Sequence, residues 1–349
     1  MKLLGTSALV MLTGIALGFG DMTAQPIAVK EVMDTAKLVR RSPALDAIVA
    51  PDVKIERVAK GFVFTEGPMW RQGALWFSDL RGNKMYSLSA DGKLRVMLEK
   101  AGGVDSFPAG ANGGSNAMVT DKDGTVLMMQ HSARRIVRLD DKLALTPFLT
   151  AYEGKQFNSP NDLVFSPDGA LYFTDPPYGL FNPADPNADL DKHPRRAINF
   201  NGVYRYKDGK LTAVITDLKR PNGLAFSPDG KTLYVANSEN PSAYYRYDVK
   251  ADGSVGPRQV FADLSKESGD GVPDGFKVDS QGNLWASGQG GFRIYSPKGE
   301  VLGQIIFPEV AANLAWGGAD GKTAYFTAST SIYRMTMKIP GQLPLNFRK

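Results

Sequence analysis

The chain contains no cysteine and only two histidines, His131 and His193, in 349 residues. Without cysteine there is no disulfide scaffold, no thiolate zinc site, no iron–sulfur cluster and no thiol nucleophile. Two histidines are too few for a three-histidine metal centre. Charge of neither sign dominates: 41 Lys and Arg stand against 36 Asp and Glu, a net of +5, with no Lys/Arg block. A nucleic-acid partner would leave a basic stripe, so none is expected. There is no Gly-x-Ser-x-Gly nucleophile elbow and no Gly-rich phosphate loop leading from a strand into a helix. Beyond residue 20 no segment is apolar enough to span a membrane.

The first twenty residues, MKLLGTSALVMLTGIALGFG, do form an apolar run, with Lys2 before it. This pattern reads as a secretory signal peptide over 1–24, cleaved near residues 20–24. A retained membrane anchor is the alternative, because the run approaches spanning length. A single preceding base and Asp21 just after it favour cleavage, which leaves no stable membrane span and a periplasmic or secreted protein. Residues 25–50 form a short N-terminal extension, in which Glu31 to Ile48 has apolar spacing compatible with a short helix outside the main fold.

Glycine (37) and proline (22) are plentiful, which favours many turns over long helices. Three segments look alike: SPNDLVFSPDGALYF (159–173), RPNGLAFSPDGKTLYV (220–235) and PDGFKVDSQGNLWA (273–286). Weaker copies are EGPMWRQGALWFSDL (66–80), SNAMVTDKDGTVLMM (115–129) and ANLAWGGADGKTAYFTA (312–328). Each has a polar entry, a short strand, a Gly-containing turn and a β-rich strand. Starts spaced by about 40–60 residues match four-stranded propeller blades. A blade cannot bury both faces alone, and six packed round an axis do so. The expected fold is all-β, a six-bladed β-propeller over 51–340 with a C-terminal tail at 341–349. The last repeat lacks a strand, so an N-terminal strand from 52–64 should complete the final blade. The segment 180–202, rich in Pro, Asn and Asp, reads as a long loop over one end.

The first residue of each innermost strand should face the central channel. Read down the repeats, that position gives Glu66, Asn116, Asn161, Asn222, Asp274 and Asn313. Asn-Gly or Asp-Gly alone would read as a turn. Acids and amides at one phase of six repeats are costly to bury without a cation or ordered water. An oxygen-only donor set suits Ca²⁺, and Mg²⁺ or Mn²⁺ less distinctively, with Zn²⁺ tolerated. Asp168, Asp229 and Asp320 fall instead in the outer turns. His131 either lines the axial pocket or satisfies the blade interior. His193 is expected to be exposed on the long loop. Tyr178, in TDPPYG, either reaches substrate or shapes the turn.

EGPMW, LWFSD, SPNDLVFSPDGALYFTDPPYGL, GVYRY, RPNGLAFSPDGKTLYVANS, DGFKVDSQGNLWAS and NLAWGG, in this order, resemble the gluconolactonase / senescence marker protein / luciferin-regenerating enzyme family over about residues 55–335. The bacterial gluconolactonase branch is the most similar. The resemblance implies a six-bladed propeller that hydrolyses lactones with one axial divalent metal, commonly calcium. Glu66, Asn161, Asn222 and Asp274 would be its ligands, and Asp274 the acid/base that activates water. Animal members carry a substrate-contacting Arg where this chain has Ser159, which places Ser159 beside Asn116, His131 and Tyr178 among candidate substrate contacts. The implied activity is metal-dependent hydrolysis of a sugar-acid lactone of the glucono-1,5-lactone type to the aldonic acid. Hydrolysis of another lactone, ester or organophosphate on the same metal is a second reading. A non-catalytic binding propeller with a structural metal is a third. Nothing in the sequence specifies an oligomer.

Overall fold

The computed structural model describes residues 36–181, 185, 188–342 and 344. The expected signal peptide and most of the 25–50 extension lie outside the described residues, as do parts of the long loop and of the C-terminal tail. Among the described residues no helix is long and apolar enough to cross a membrane.

Six antiparallel sheets follow one another along the chain and close into a propeller. Blade 1 runs through Thr65–Arg71, Ala74–Asp79, Lys84–Ser89 and Leu94–Glu99, and blade 2 through Ser115–Thr120, Val126–Gln130, Arg135–Leu139 and Leu145–Leu149. Blade 3 comprises Leu163–Phe165, Leu171–Asp175, Asn201–Lys207 and Lys210–Leu218, and blade 4 comprises Pro221–Phe226, Thr232–Asn237, Ala243–Asp248 and Gln259–Asp263. Blade 5 holds Phe276–Val278, Leu284–Gly288, Gly291–Tyr295 and Val301–Ile306. Blade 6 holds Ala311–Gly317, Thr323–Ala328 and Ser331–Thr336, and takes its outer strand from Ile55–Lys60, with Ile55 paired to Met335. The ring is thus closed by the N-terminal strand that the repeat count requires.

The second strand of every blade is buried on both faces, as in FSD, FTD and VAN, because each blade is packed between two others. The apolar residues accordingly gather between blades. Phe77, Tyr86, Tyr325 and Ile332 join blades 6 and 1, Tyr172, Phe226 and Val235 join blades 3 and 4, and Phe276, Tyr244 and Tyr234 join blades 4 and 5. Each such apolar side chain removed from water contributes about 1.5–3 kcal/mol.

The extension departs from the helical expectation. Lys37–Arg40 is a fifth strand on blade 5, antiparallel to Val301–Ile306. Ser42-Pro43 explains the difference. A residue before proline is held extended, and Ser42 sits at φ −142°, ψ 142°, capping a 3₁₀ turn over Pro43–Ala47. The apolar residues that mimic helical spacing, Leu45, Ile48 and Val49, are buried in the core between blades 5 and 6. The strand also covers the otherwise open edge of blade 5.

The outer turns carry Asp168, Asp229 and Asp320 as read. Asp229 accepts from the Lys231 N–H and Asp320 from the Lys322 N–H, both at 3.0 Å. Asp168 accepts from Ser166, Arg205 and Lys207 at the surface.

Candidate active site

Four of the six axial residues sit at a slip in strand pairing, and the other two lie just ahead of the regular ladder. The pairing of first and second strands slips between Glu66 and Met69, Ser115 and Met118, Pro221 and Leu224, and Ala311 and Asn313. In blades 3 and 5 regular pairing begins only at Leu163 and Phe276, just after Asn161 and Asp274. Such bulges re-aim a side chain out of the alternation of the strand. They turn the polar residue toward the axis while its neighbours stay in the blade.

The glycines after these residues are spacers between blades. A Cβ on Gly223 would lie 2.4 Å from the Asp274 carbonyl oxygen, and one on Gly275 would lie 2.0 Å from Asn313 Cγ. A Cβ on Gly67 would meet the Asn116 carbonyl oxygen at 2.2 Å, and Gly67 also adopts φ +55°. The Asn-Gly and Asp-Gly pairs are therefore not turns. Their glycines let the next blade's axial residue approach closely.

Glu66 is buried, with Oε2 accepting from the Gly67 N–H at 2.6 Å and from Asn313 Nδ2 at 3.0 Å. Burial pushes its carboxyl up to about 7, with the Asp162 charge adding and Lys277 opposing. Asp274 is half-buried as a residue, yet protein atoms crowd its carboxyl, and that desolvation raises it well above the usual range. The like charges of Glu66 and Asp162 push the same way, against hydrogen bonding from Asn222 and the Gly275 N–H. The Asp274 N–H donates to Ser287 Oγ at 3.0 Å.

Two residues absent from the sequence reading belong here. Asp162 is buried, and its Oδ2 has no hydrogen-bond partner among the described residues. Lys277 Nζ stands 3.6 Å from that oxygen and 3.4 Å from Asn313 Oδ1. Both break the repeat. At Lys277's phase the other blades carry Met69, Val119, Val164, Ala225 and Trp316, and at Asp162's phase Gly67, Ala117, Gly223, Gly275 and Leu314. Each is the lone charge at its phase, and each is the other's partner. That contrast was the available signal.

The remaining amides take different parts. Asn222 Nδ2 donates to Ser238 Oγ at 3.0 Å. Asn116 Nδ2 meets His131 Nε2 at 3.2 Å, and His131 Nδ1 meets the Asn112 carbonyl at 3.1 Å. A carbonyl only accepts, so Nδ1 carries the proton and Nε2 accepts from Asn116. His131 is fully buried, which pushes its pKa down to about 4 and keeps it neutral. It therefore orients Asn116 from behind. Asn161 is buried, with backbone bonds to Thr174 and Ala117 and no hydrogen bond to its amide side chain among the described residues. Asn313 braces Glu66 and accepts from the Leu314 N–H at 2.9 Å.

Tyr178 is half-buried, beside Ser238, Asp274 and Arg220, whose Nη1 is bonded to Asp191 of the long loop at 2.8 Å. Ser159 corrects the substrate-contact expectation. It is fully buried, donates to the Pro176 carbonyl at 2.6 Å and accepts from the Gly179 N–H at 2.7 Å. Its hydroxyl is thus committed to shaping the loop that carries Tyr178. His193 is half-buried, not exposed, and accepts from the Arg195 N–H at the end of a 3₁₀ turn.

The donor chemistry fits a divalent cation. No group of three His, Cys, Asp or Glu side chains forms a metal cluster among the described residues. The candidate donors are instead mixed, two carboxylates and two amides, with Asp162 paired to Lys277. Three carboxylates against one ammonium leave a formal charge of −2, and burial raises the Glu66 and Asp274 carboxyls in the absence of a counter-ion. An ion of charge +2 with a preference for oxygen meets both conditions.

A family model described as SMP-30/Gluconolactonase/LRE-like region matches residues 64–330. A gluconolactonase of Zymomonas mobilis is 38% identical over 317 residues, covering 87% of each chain. A 6-deoxy-6-sulfogluconolactonase of Pseudomonas putida is 29% identical over 273 residues, covering 76% of this chain and 84% of that one. Among solved structures, a gluconolactonase of Xanthomonas campestris superposes with a TM-score of 0.75 at 30% identity, covering 90% of this chain and 97% of that one.

Proposed function

The chain belongs to the SMP-30/Gluconolactonase/LRE-like family, and from that membership and its axial site we propose that it is a lactonase opening sugar-acid lactones of the glucono-1,5-lactone type to aldonic acids. The observation that carries the reading is the axial set: Glu66, Asp162 and Asp274 against Lys277, at the inner strands of blades whose interiors are otherwise apolar. A purely structural axis would be cheaper to fill with apolar side chains, because buried polar groups cost free energy unless partnered.

Glu66, Asn161, Asn222 and Asp274 would hold a divalent cation, with Ca²⁺ first among the candidates. When bound, it supplies Lewis-acid polarisation of the lactone carbonyl and charge against the developing oxyanion. Asp274 takes a proton from the water that attacks the acyl carbon. The acyl–oxygen bond of the ring breaks, and the departing ring oxygen receives a proton from Asp274. One water is consumed, and the product carries a carboxyl and a free hydroxyl. Asn313 and the Gly67 N–H fix Glu66, and Ser287 fixes the backbone at Asp274. Asn116 and Tyr178 offer polar groups toward the hydroxyls of a sugar lactone. With the N-terminal run removed on export, the enzyme would act in the periplasm or outside the cell.

The test is pH-stat hydrolysis of glucono-1,5-lactone by metal-stripped protein, with Ca²⁺, Mg²⁺, Mn²⁺ and Zn²⁺ restored one at a time and spontaneous opening subtracted. Turnover that returns with an ion supports the reading and ranks the ions. No rate above background with any ion refutes the sugar-lactone assignment.

A further inference from the structure

Ser238 follows directly on blade 4's second strand and has three neighbours at the axial site. Its Oγ donates to the Pro273 carbonyl at 2.6 Å, one residue before Asp274. The same Oγ accepts from Asn222 Nδ2 at 3.0 Å. The Tyr178 side chain stands against it as well.

A hydroxyl has one proton to give, and a carbonyl can only accept. With its proton given to Pro273, Ser238 can only accept from Asn222. The group of Asn222 that faces it must be the NH₂, and the amide oxygen must point the other way. We propose that Ser238 is a positioning residue that sets the flip of the Asn222 amide, so that the Asn222 oxygen is presented to a divalent cation on the axis. On the Ser238 side the direction is imposed by a backbone carbonyl, which cannot rotate, and is passed through one hydroxyl; the same NH₂ group also donates to the Asp274 carboxyl, which agrees with that flip. The Asn112 carbonyl, His131 and Asn116 repeat the logic in blade 2, with a neutral imidazole in place of the hydroxyl. Ser238 also couples the segment leading into Asp274 to the Asn222 amide, so two of the four candidate ligands share one anchor.

The inference rests on the cation reading of the site, and the test separates the two. Ca²⁺ is titrated calorimetrically into the full metal-stripped chain, as wild type, Ser238→Ala and Ser238→Thr. In parallel, exchange of the Asn222 side-chain amide protons is followed by NMR in the metal-free proteins, the signal being assigned by its loss in Asn222→Asp. Outer partners of metal ligands typically govern 10–100-fold in affinity, so Ser238→Ala should lose about tenfold or more in Ca²⁺ affinity. Ser238→Thr, which keeps the hydroxyl, should stay within about threefold. The Asn222 amide should exchange slowly in wild type and Ser238→Thr and quickly in Ser238→Ala. A Ser238→Ala protein that melts earlier in EDTA but binds Ca²⁺ as tightly as wild type would overturn the proposal, since a merely structural serine behaves so. If the wild type takes up no Ca²⁺, the cation reading falls by itself. The exchange measurement then decides alone, and equal exchange in wild type and Ser238→Ala overturns the relay.

Discussion

Replacing Lys277 by Met should weaken the metal-free protein and strengthen its hold on Ca²⁺. Lys277 Nζ lies 3.6 Å from Asp162 Oδ2. At an effective dielectric of about 20, two unit charges at that separation attract by about 5 kcal/mol before desolvation is counted. Asp162 is buried, but the Lys277 side chain is 28% exposed, so water screens part of this. Removing one partner of a fully buried pair costs about 3–5 kcal/mol, and about 2 kcal/mol is the expectation for this partly exposed one. The formal charge of the site then falls from −2 to −3, and a divalent ion meets one fewer opposing charge. Regaining about 1.4 kcal/mol through the ion corresponds to tenfold tighter Ca²⁺ binding. The assay is calorimetric titration of Ca²⁺ together with thermal melting in EDTA and in excess Ca²⁺. Lys277→Met should melt well below wild type in EDTA, with the gap closing in Ca²⁺, and Lys277→Arg should resemble wild type in both. A Lys277→Met protein with unchanged or weaker Ca²⁺ affinity would refute the charge balance and with it the assignment of the axial set to a divalent ion.

Asp274→Asn keeps an oxygen toward the axis but removes the proton acceptor, so glucono-1,5-lactone turnover should fall by about 10²–10⁴ while Ca²⁺ binding, read by calorimetry, falls far less; equal losses would deny Asp274 a role as base. Gly223→Ala puts a Cβ 2.4 Å from the Asp274 carbonyl oxygen, and a displacement approaching 1 Å can cost about 10²-fold in rate, so kcat should drop steeply with the fold retained by circular dichroism; wild-type kcat would show that the blades absorb the methyl. His131→Gln tests the neutral imidazole. Its folded pKa of about 4 lies below the unfolded value, so between pH 6.5 and 4 the unfolded chain binds the extra proton and stability is lost as pH falls. The wild-type minus Gln difference in urea stability should therefore shrink by about 3 kcal/mol across that window, and a difference independent of pH would mean that His131 is protonated in the native protein.

Much of the architecture was written in the repeats because the forces that shape a blade act on every copy. The alternation, the outer turns holding Asp229 and Asp320, and the missing strand of blade 6 are local or counting arguments, and each copy supports the others. Ile55–Lys60 could be placed on the last blade because a closed ring leaves only one sheet short of a strand. The extension had no second copy to consult. Leu38, Leu45, Ile48 and Val49 fit a helix by spacing, and only contact with the core between blades 5 and 6, together with the stop at Ser42-Pro43, decides otherwise. Ser159 misled for a related reason. A correspondence of position suggested the channel, whereas the turn that follows it closes back on its hydroxyl.

The site divides along the same line. The polar phase of the first strands was legible, since six copies carried it, and the bulges that aim it are the structural form of that phase. The averaging that exposed this phase also concealed Asp162 and Lys277. A repeat is read by what its copies share, and these two are what one copy has and the others lack. In a ring of equivalent blades a lone buried charge cannot be explained by blade packing, because five neighbours pack without it. Its free energy must be recovered by a partner from another blade, and Lys277 in blade 5 recovers that of Asp162 in blade 3. Function therefore enters a propeller at two levels: a phase common to all blades, which makes an axis of oxygens, and single departures from it, which set the charge that the axis presents.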